Sequence, residues 1–514
     1  MKIKYLLLSL VIITFTACNE DDDLETSASI EPVEVSSGNA DFSRMVAMGA
    51  TMTSGYTDGA LFQAGQMNSY PNIMASVMAH AVENDGSVEF TQPYTNNNVG
   101  GLLVAGQPFG AARFYFDGAG PATVPGTVTT EATNVTPGPY SNMAAPGANA
   151  LHMLAPGYGS MAGLMQGLAN PYYVRMASSD GASIIGDVLA QAPTFVTILS
   201  GFSDALASAT DGAATVGMGT QEEFQFAFAS TMGALGASVP YGIVSNIPDV
   251  TNNAFFNTVG HDIVPLDAGT AAMLTGAFAQ YNGVIGITQA ECIDALQLPE
   301  LIPGDCAEAT SVPNPFYGFL SAEEAAMRTL TWTAGANNAV LIDDETLTTI
   351  DLSALGGPVL PNLRQATADD KILLSTATVI GTLVNGDPTL INGVTVPLDD
   401  TRVLIPSEVT EIQDAITGYN ATIAATVGQE WAMFDAYTFF EELNSVGVTS
   451  GDFHMTGDLV FGGFYSLDGI HPTARGNAAL ANAIMSAIDS HYGSNLSDAA
   501  VDIGDYPTNY PPNM

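Results

Sequence analysis

The sequence contains few cationic side chains. Its 514 residues include 10 Lys and Arg against 53 Asp and Glu, which gives a formal net charge of −43 at pH 7. A negative field of this size repels the phosphates of nucleic acids and anionic membrane surfaces. We therefore exclude DNA and RNA as partners. Apolar residues make up 47% of the chain, so its composition is that of a globular protein rather than a disordered one.

Cysteine is also scarce, with three residues in the chain. Cys292 and Cys306 lie close together in sequence, and no histidine or second cysteine pair stands at metal-ligand spacing from them. Beyond the inner membrane such a pair forms a structural disulfide, worth roughly 3 kcal/mol for a loop of this size. The sequence predicts this disulfide, and it predicts neither a metal nor a cofactor.

The apolar run at the N-terminus is shorter than the about 20 residues that a transmembrane helix needs. Two lysines precede the apolar segment 5–15, and a small-residue cleavage site ends at Cys18. This pattern predicts a signal peptide over residues 1–17. The sequence Phe-Thr-Ala-Cys resembles a bacterial lipobox, which implies that Cys18 is lipidated and anchors an outer-membrane lipoprotein in the cell envelope. A secretory leader with a chance cysteine is the alternative.

Residues 18–40 are acidic and rich in Ser, and they show no apolar period, which predicts a flexible tether. The run Glu-Asp-Asp-Asp at 20–23 resembles the surface-export signal of Bacteroidota lipoproteins. That resemblance implies exposure on the cell surface. A solvated acidic linker without an export role is the alternative.

After the tether, apolar β-branched runs alternate with segments of helical period. Strands are predicted at 44–48, 194–199, 241–245 and 431–437, and helices at 184–191, at 222–237, from an N-cap at Ser407, and at 474–490. Alternation of this kind predicts an α/β fold with a mostly parallel sheet.

Four short blocks of the sequence carry candidate chemistry. They are Gly-Ala-Thr at 49–51, Asn-Met-Ala-Ala-Pro-Gly at 142–147, Gly-Phe-Ser-Asp at 201–204 and Asp-Gly-Ile-His-Pro at 468–472. Their order and positions resemble those of the SGNH, or GDSL, hydrolases. In that family a Gly-Asp-Ser supplies the nucleophile, a later Gly and an Asn complete the oxyanion hole, and a C-terminal Asp-x-x-His supplies the base.

The resemblance implies a three-layer, flavodoxin-like α/β fold with a mostly parallel central sheet. SGNH domains are much shorter than this chain. We therefore expect a hydrolase-like domain over residues 41–492 that contains a large insertion at about 260–405, and a C-terminal tail over residues 493–514.

The resemblance also assigns roles to individual residues. Thr51 would be the nucleophile, His471 the base, and Asp468 the residue that orients His471. The oxyanion hole would consist of the backbone N–H groups of Thr51 and Gly147 and the side chain of Ser203. The expected reaction is the hydrolysis of an acyl ester, such as a lipid ester, without a cofactor.

The chain departs from the family pattern at three positions. Ala50 replaces the Asp, Thr51 replaces the Ser, and Ser203 replaces the Asn. The methyl group of a threonine restricts its side chain and crowds the approach to a carbonyl. Thr53 and Ser54 also carry hydroxyls, but they match family positions that are not nucleophilic. Two alternatives follow: an esterase or lipase slowed by these changes, or an inactive protein that binds a lipid or glycan beside an outer-membrane barrel transporter.

Overall fold

The computed structural model describes residues 34–82, 89–290, 317–353 and 359–514, together with the backbone of Cys292–Asp294 and Ser311–Pro313. Cys18 and Cys306 lie outside the described residues, as do the predicted signal peptide and most of the predicted tether. Lipidation and the disulfide therefore stay predictions. Residues Val35–Met514 form one compact unit.

The β-strands of the described residues are short. In chain order they are β1 Met45–Gly49, β2 Leu102–Val104, β3 Gln107–Gly110, β4 Phe114–Phe116, β5 Pro121–Thr123, β6 Phe195–Leu199, β7 Tyr241–Ser245, β8 Val264–Leu266, β9 Cys292–Asp294, β10 Ser311–Pro313, β11 Gly335–Asn338, β12 Leu341–Asp343, β13 Leu363–Gln365, β14 Lys371–Ile372, β15 Val403–Leu404, β16 Ala432–Phe434, β17 Val448–Ser450 and β18 Phe453–Met455.

The α-helices of the same ranges alternate with these strands. In chain order they are α1 Thr51–Ser54, α2 Gln63–Met67, α3 Tyr70–Met78, α4 Ala150–Leu154, α5 Met161–Leu164, α6 Pro171–Met176, α7 Ile184–Ala190, α8 Phe202–Thr210, α9 Gln221–Gly236, α10 Ala254–Asn257, α11 Ala268–Ala277, α12 Ala279–Ile287, α13 Ala322–Arg328, α14 Pro406–Thr426, α15 Ala436–Ser445 and α16 Ala474–Tyr492. None of the helices in the described ranges is both long and apolar enough to span a bilayer.

A four-stranded parallel sheet with the order β1-β6-β7-β16 forms the centre of the molecule. Every residue of β1 and β6 is buried, as expected for a parallel sheet that helices cover on its faces. The α3 and α16 helices pack against each other, and α9 packs against α4 and α14. The prediction of an α/β fold with a parallel central sheet is confirmed.

An extended segment, residues 141–145, runs parallel to β1 along its outer edge. The N–H of Ala47 donates to Ser141 O (2.8 Å), and the N–H of Met143 donates to Ala47 O (2.9 Å). The N–H of Ala145 donates to Gly49 O (3.1 Å), at the end of the strand. The second sequence block is thereby held against the carboxyl end of β1, beside the first.

Two predicted element boundaries near the C-terminal half are wrong. The strand expected at 431–437 ends at Phe434, because Asp435 caps the next helix by accepting from the N–H of Thr438 (3.1 Å). The helix expected to start from Ser407 starts at Pro406 instead. There the carboxylate of Glu408 accepts from the N–H of Ile405 (2.8 Å), and proline suits a first helical position.

Residues 259–405 contain apolar clusters of their own. One surrounds Trp332, Ile342 and Val403, and a second surrounds Ile285 and Leu320, and both draw all their members from this range. The strands of the range pair only in two-stranded sheets. The region predicted to be an insertion therefore has apolar clusters of its own, and its Leu373 and Leu404 also join the main core around the central sheet.

The C-terminal residues pack against the N-terminal part of the domain. The ring of Tyr510 meets that of Phe62 at a centroid distance of 5.1 Å. The guanidinium of Arg113 lies 5.0 Å from the Phe62 ring and 5.9 Å from the Tyr510 ring. Arg113 also donates to the carbonyls of Tyr510 (3.2 Å) and Pro511 (2.6 Å). This side chain therefore fastens the end of the chain beside Phe62.

Candidate active site

Thr51 is the first residue of α1, two positions beyond the end of β1. Its Oγ1 is buried and has no hydrogen-bond partner. The two neighbouring hydroxyls are both engaged: Thr53 Oγ1 lies 3.0 Å from the Tyr70 hydroxyl, and Ser54 Oγ donates to Thr51 O (2.7 Å). Of the three hydroxyls in this helix, only that of Thr51 is free to react.

The strand-to-helix turn at Thr51 requires the glycine that precedes it. A Cβ atom at Gly49 would lie 2.2 Å from Thr53 Oγ1 and 3.1 Å from Leu199 O. Both contacts are shorter than ordinary van der Waals contact, so a larger residue would push the helix away from the sheet. Gly49 thus lets the chain turn directly from the buried strand into the helix that carries Thr51.

Asp468 and His471 form a buried pair in the loop before α16. His471 Nδ1 lies 2.9 Å from Asp468 Oδ2, and the two side chains are 6% and 10% exposed. The other carboxylate oxygen, Oδ1, accepts from the N–H groups of Ile470 (2.9 Å) and His471 (2.8 Å). Burial alone would raise the pKa of Asp468, but His471 and these N–H donors outweigh it and lower that pKa below its usual value.

This arrangement determines which nitrogen of His471 can act on a substrate. Because Nδ1 faces the ionised Asp468, it carries the proton, and Nε2 is left as the basic nitrogen. His471 Nε2 is buried and has no hydrogen-bond partner. The ring of Tyr56 packs against the imidazole at a centroid distance of 5.0 Å, and its hydroxyl donates to Gly59 O (2.6 Å).

The two backbone N–H groups predicted to form an oxyanion hole are those of Thr51 and Gly147. In the part of the chain that the structure describes, neither the N–H of Thr51 nor that of Gly147 donates a hydrogen bond. Asn142 of the second block is fully engaged instead. Its amide donates to Thr53 O (3.0 Å) and Gln92 Oε1 (3.2 Å), and its Oδ1 accepts from Ala144 (3.1 Å). Asn142 therefore holds the loop, and Gly147 presents the free donor.

The third block follows β6, the strand next to β1. Ser203 is the second residue of α8 and is buried, and its hydroxyl makes no hydrogen bond to any described residue. The Asp204 carboxylate accepts from the N–H of Ala150 (3.1 and 3.2 Å). Burial raises the pKa of Asp204 to about 6. Asp204 therefore joins the third block to the residues just after Gly147.

The structure links the four sequence blocks through residues in them or shortly after them, and the first three blocks lie at the carboxyl ends of β1, of the edge segment 141–145 and of β6. Hydrogen bonds that join them are Asn142 Nδ2 to Thr53 O (3.0 Å), Ala150 N to the Asp204 carboxylate (3.1 Å) and Gly59 N to Asp468 Oδ2 (2.9 Å). No hydrogen bond joins Thr51 Oγ1 to His471 Nε2 among the described residues. The two atoms are thus both unpartnered rather than paired with each other.

Sequence reasoning assigned no role to two residues after the first block that contact the Asp468–His471 pair. These are Tyr56, against the imidazole, and Gly59, on the carboxylate of Asp468. Asp58 and Gly59 form an Asp-Gly dipeptide, which is a strong turn signal, and this signal could have placed a turn directly after α1. Nothing in the sequence indicated that the turn would meet a loop about 400 residues away.

A cluster of carboxylates lies outside the candidate active site. Oxygens of Glu345, Asp400 and Glu408 lie within 4.8 Å of one another, the only such group of potential metal ligands in the described ranges. Burial and the neighbouring acids raise the pKa of Glu345 and of Asp400, and that of Glu408 to about 7. Protonation of Glu408 near neutral pH therefore relieves part of the repulsion within this cluster.

A comparison of the chain with protein-family models, with curated proteins and with solved structures found no match. In the absence of a match, the class of the protein is defined by its fold and by the geometry of its site. The chain is an α/β protein with a parallel sheet and a buried Asp–His pair close to the carboxyl ends of its strands. Any closer assignment rests on the residues of the site.

Proposed function

We propose that the chain is an SGNH-type ester hydrolase in which Thr51 is the nucleophile and His471 the base. One observation carries the proposal. Six buried side-chain nitrogen or oxygen atoms in the described residues have no hydrogen-bond partner, and two of them are Thr51 Oγ1 and His471 Nε2. Buried polar atoms are nearly always paired, because an unpaired one costs about 1–3 kcal/mol. We interpret Thr51 Oγ1 and His471 Nε2 as reactive atoms that are unpaired because their partner is the substrate.

The sheet topology supports a flavodoxin-like, three-layer arrangement. When the extended segment 141–145 is counted as an edge strand beside β1, the strand order in the sheet becomes 2-1-3-4-5. In open α/β sheets of this order, ligands bind outside the carboxyl ends of the strands, at the point where the strand order reverses. Thr51 follows β1 and Ser203 follows β6, the two strands that flank this point.

The proposed reaction is a two-step acyl transfer. Nε2 of His471 takes the proton of Thr51 Oγ1 as that oxygen attacks the ester carbonyl carbon. The tetrahedral intermediate collapses, the ester C–O bond breaks, and the protonated His471 gives its proton to the departing alcohol. Water, activated by the same nitrogen, then cleaves the acyl-threonine and releases the acid. Asp468 keeps Nδ1 protonated and stabilises the imidazolium in both steps.

The oxyanion of each tetrahedral intermediate would be met by the N–H groups of Thr51 and Gly147 and by the hydroxyl of Ser203. The first two are free donors in the described residues. Losing one oxyanion donor typically lowers kcat by about 10²–10³. Since a serine hydroxyl reaches less far than an asparagine amide, we expect turnover well below that of an SGNH enzyme with all four of its signature residues.

The surroundings of His471 favour an ester with an apolar acyl group. Tyr56, which packs against His471, belongs to an apolar cluster with Leu61, Leu164 and Tyr172. Phe109 extends this cluster toward solvent, with its ring 6.3 Å from that of Tyr172 and the residue 59% exposed. An apolar chain that follows this path would keep its carbonyl end near Thr51. We further propose that Cys18 carries a lipid and holds the enzyme at the outer membrane.

A fluorophosphonate probe tests the proposal directly. The probe should label the wild-type chain at Thr51, as located by peptide mass spectrometry, and His471→Ala should abolish labelling. Thr51→Ser should label faster, because it removes the methyl group that crowds the attack. Thr53→Ala is the matched control, since its hydroxyl is engaged with Tyr70, and it should not remove the labelled site. No labelling and no hydrolysis of short p-nitrophenyl esters would contradict the proposal.

A second function remains a candidate because Thr51 Oγ1 and His471 Nε2 are not hydrogen-bonded to each other. An inactive SGNH-fold protein would keep the cleft to bind a lipid or glycan, beside an outer-membrane transporter. In that case Thr51→Ser would be no more active than the wild type, and the chain would co-purify from membranes with a barrel protein. Labelling at Thr51 that depends on His471 excludes this alternative.

A further inference from the structure

A tight turn directly follows α1 at residues 57–60. Thr57 and Ala60 exchange two backbone hydrogen bonds, both of 3.1 Å. The two residues between them have left-handed backbones, with φ of +50° at Asp58 and +75° at Gly59. Glycine adopts this conformation freely, and aspartate is among the few other residues that tolerate it. The Asp-Gly pair is therefore suited to this turn, which resembles the type I′ turn of hairpins.

This turn is fastened to the loop that carries Asp468 and His471. Four hydrogen bonds cross between them: Thr57 Oγ1 to Pro472 O (2.9 Å), Asp58 N to Ser466 Oγ (2.9 Å), Leu467 N to Asp58 Oδ1 (3.1 Å) and Gly59 N to Asp468 Oδ2 (2.9 Å). Each joins residues more than 400 positions apart in sequence. The turn thus holds the loop on both sides of the Asp468–His471 pair.

Asp58 is the side chain of the turn that contacts the loop just before Asp468. It is 2% exposed, and its Oδ1 accepts from the N–H of Leu467. Three charged or titratable groups face it from other elements: Asp468 of the loop, Arg113 beside β4, and Tyr510 near the C-terminus. Arg113 directs its hydrogen bonds to backbone carbonyls and to Met514 Sδ, and it forms no direct ion pair with Asp58 in the described structure.

The pKa values of Asp58 and Asp468 are shifted in opposite directions. Burial, with a smaller contribution from the Asp468 charge, raises the pKa of Asp58 to about 7. The pKa of Asp468 is lowered by His471 and by N–H donors that outweigh its burial. Asp468 is therefore the ionised partner of His471, while Asp58 takes up a proton near neutral pH. A protonated carboxyl group still accepts a hydrogen bond through its carbonyl oxygen.

We propose that Asp58 is a positioning residue of the active site: its hydrogen bond from Leu467 fixes the loop so that Asp468 stays aligned with His471 Nδ1. This inference rests on the proposed hydrolase function. The acceptor oxygen matters here, and the charge does not. An error of about 1 Å in the placement of catalytic groups can lower the rate about 100-fold. Asp58 would therefore influence proton transfer without touching the substrate.

Two substitutions separate the acceptor from the charge and from the turn. Asp58→Asn keeps an acceptor oxygen and tolerates the left-handed backbone, but it cannot ionise. Asp58→Gly also allows the backbone conformation, but it removes the acceptor for Leu467. If Asp58 serves only the turn, the two variants behave alike. If its oxygen positions the loop, asparagine preserves the site and glycine disturbs it.

The first readout is the NMR signal of the proton on His471 Nδ1, in the whole chain labelled with ¹⁵N-histidine. A proton in a histidine–carboxylate hydrogen bond resonates far downfield and exchanges slowly with water. We expect this signal in the wild type and in Asp58→Asn, and its loss or strong broadening in Asp58→Gly. Asp468→Asn provides the reference for a lost signal. This readout does not require Thr51 to react.

The second readout is the rate of fluorophosphonate labelling. We expect Asp58→Gly to label about 100-fold more slowly and Asp58→Asn to stay within about twofold of the wild type. If thermal unfolding shows that Asp58→Gly does not fold, Asp58→Ser takes its place. We expect the same slow labelling from it, because the shorter serine side chain does not reach the N–H of Leu467. A normal signal in the glycine or serine variant overturns the inference, and so does its loss in Asp58→Asn. A wild type that shows the signal but is never labelled refutes the hydrolase proposal alone.

Discussion

The substitution Asp468→Asn tests how much the Asp468–His471 pair contributes to stability. The carboxylate of Asp468 accepts four hydrogen bonds, two at Oδ2 and two at Oδ1. An asparagine amide offers one acceptor oxygen, and its nitrogen can only donate. With the amide nitrogen in place of Oδ1, the N–H groups of Ile470 and His471 lose their acceptor; with it in place of Oδ2, the N–H of Gly59 does, while His471 can shift its proton to Nε2 and accept at Nδ1.

The expected loss follows from these contacts. Each buried N–H left without an acceptor costs about 1–3 kcal/mol, and the removal of a buried charge offsets part of that cost. With at least one N–H group left unpaired, we expect the free energy of unfolding to fall by about 1–3 kcal/mol at pH 7. Because the pKa of Asp468 is lowered in the folded state, its contribution is present above the unfolded value of about 3.9 and is lost as pH falls through the folded value. The difference between the two proteins should shrink in acid.

Urea unfolding of both proteins at several pH values measures this difference. The control is Asp452→Asn, at an exposed position, which should change the free energy of unfolding by no more than about 0.5 kcal/mol. Equal stability of Asp468→Asn and the wild type at pH 7 would refute the reasoning. A difference that grows toward low pH would refute the sign of the linkage.

Three further predictions concern the rest of the chain. Raising NaCl from about 0.01 M to about 1 M should raise the melting temperature. The 53 acidic side chains repel one another because only 10 cationic ones offset them, and the added salt screens this repulsion by shortening the Debye length from about 30 Å to about 3 Å. A constant or lower melting temperature would contradict this. Gly242→Ala, whose Cβ would lie 2.2 Å from the Trp431 ring, should cost about 1–3 kcal/mol in urea unfolding. The control Gly233→Ala, with open space around its Cβ, should instead gain about 0.5–1 kcal/mol. Because the pKa of Glu408 is raised in the folded state, the free energy of unfolding of the wild type should fall as pH rises from about 4.5 to about 7. Glu408→Gln should make this pH dependence shallower. An unchanged pH dependence would mean that other groups cause it.

Much of the central sheet was predictable from local sequence. The strand predicted at 241–245 is β7 itself, the one at 194–199 begins one residue before β6, and the one at 44–48 is shifted by one residue at each end from β1. Buried parallel strands are almost entirely apolar, so they stand out against helical periods. The failure at 431–437 has a local cause, because the apolar pattern continues past Asp435 although this residue caps α15. A cap is harder to recognise inside an apolar run than at its edge.

The sequence by itself determined the chemical groups of the candidate site: the Asp-x-x-His pair, the hydroxyl at 51 and the small residues around them. These could be named because each block is short and its spacing is local. Tertiary structure decided which of three neighbouring hydroxyls has no partner and which histidine nitrogen is free. It also decided that the turn at Asp58 holds the loop of His471. The first two properties depend on hydrogen bonds over 3 to 17 positions whose geometry only the folded backbone sets, and the third depends on a bond between residues 409 positions apart, which no local pattern encodes.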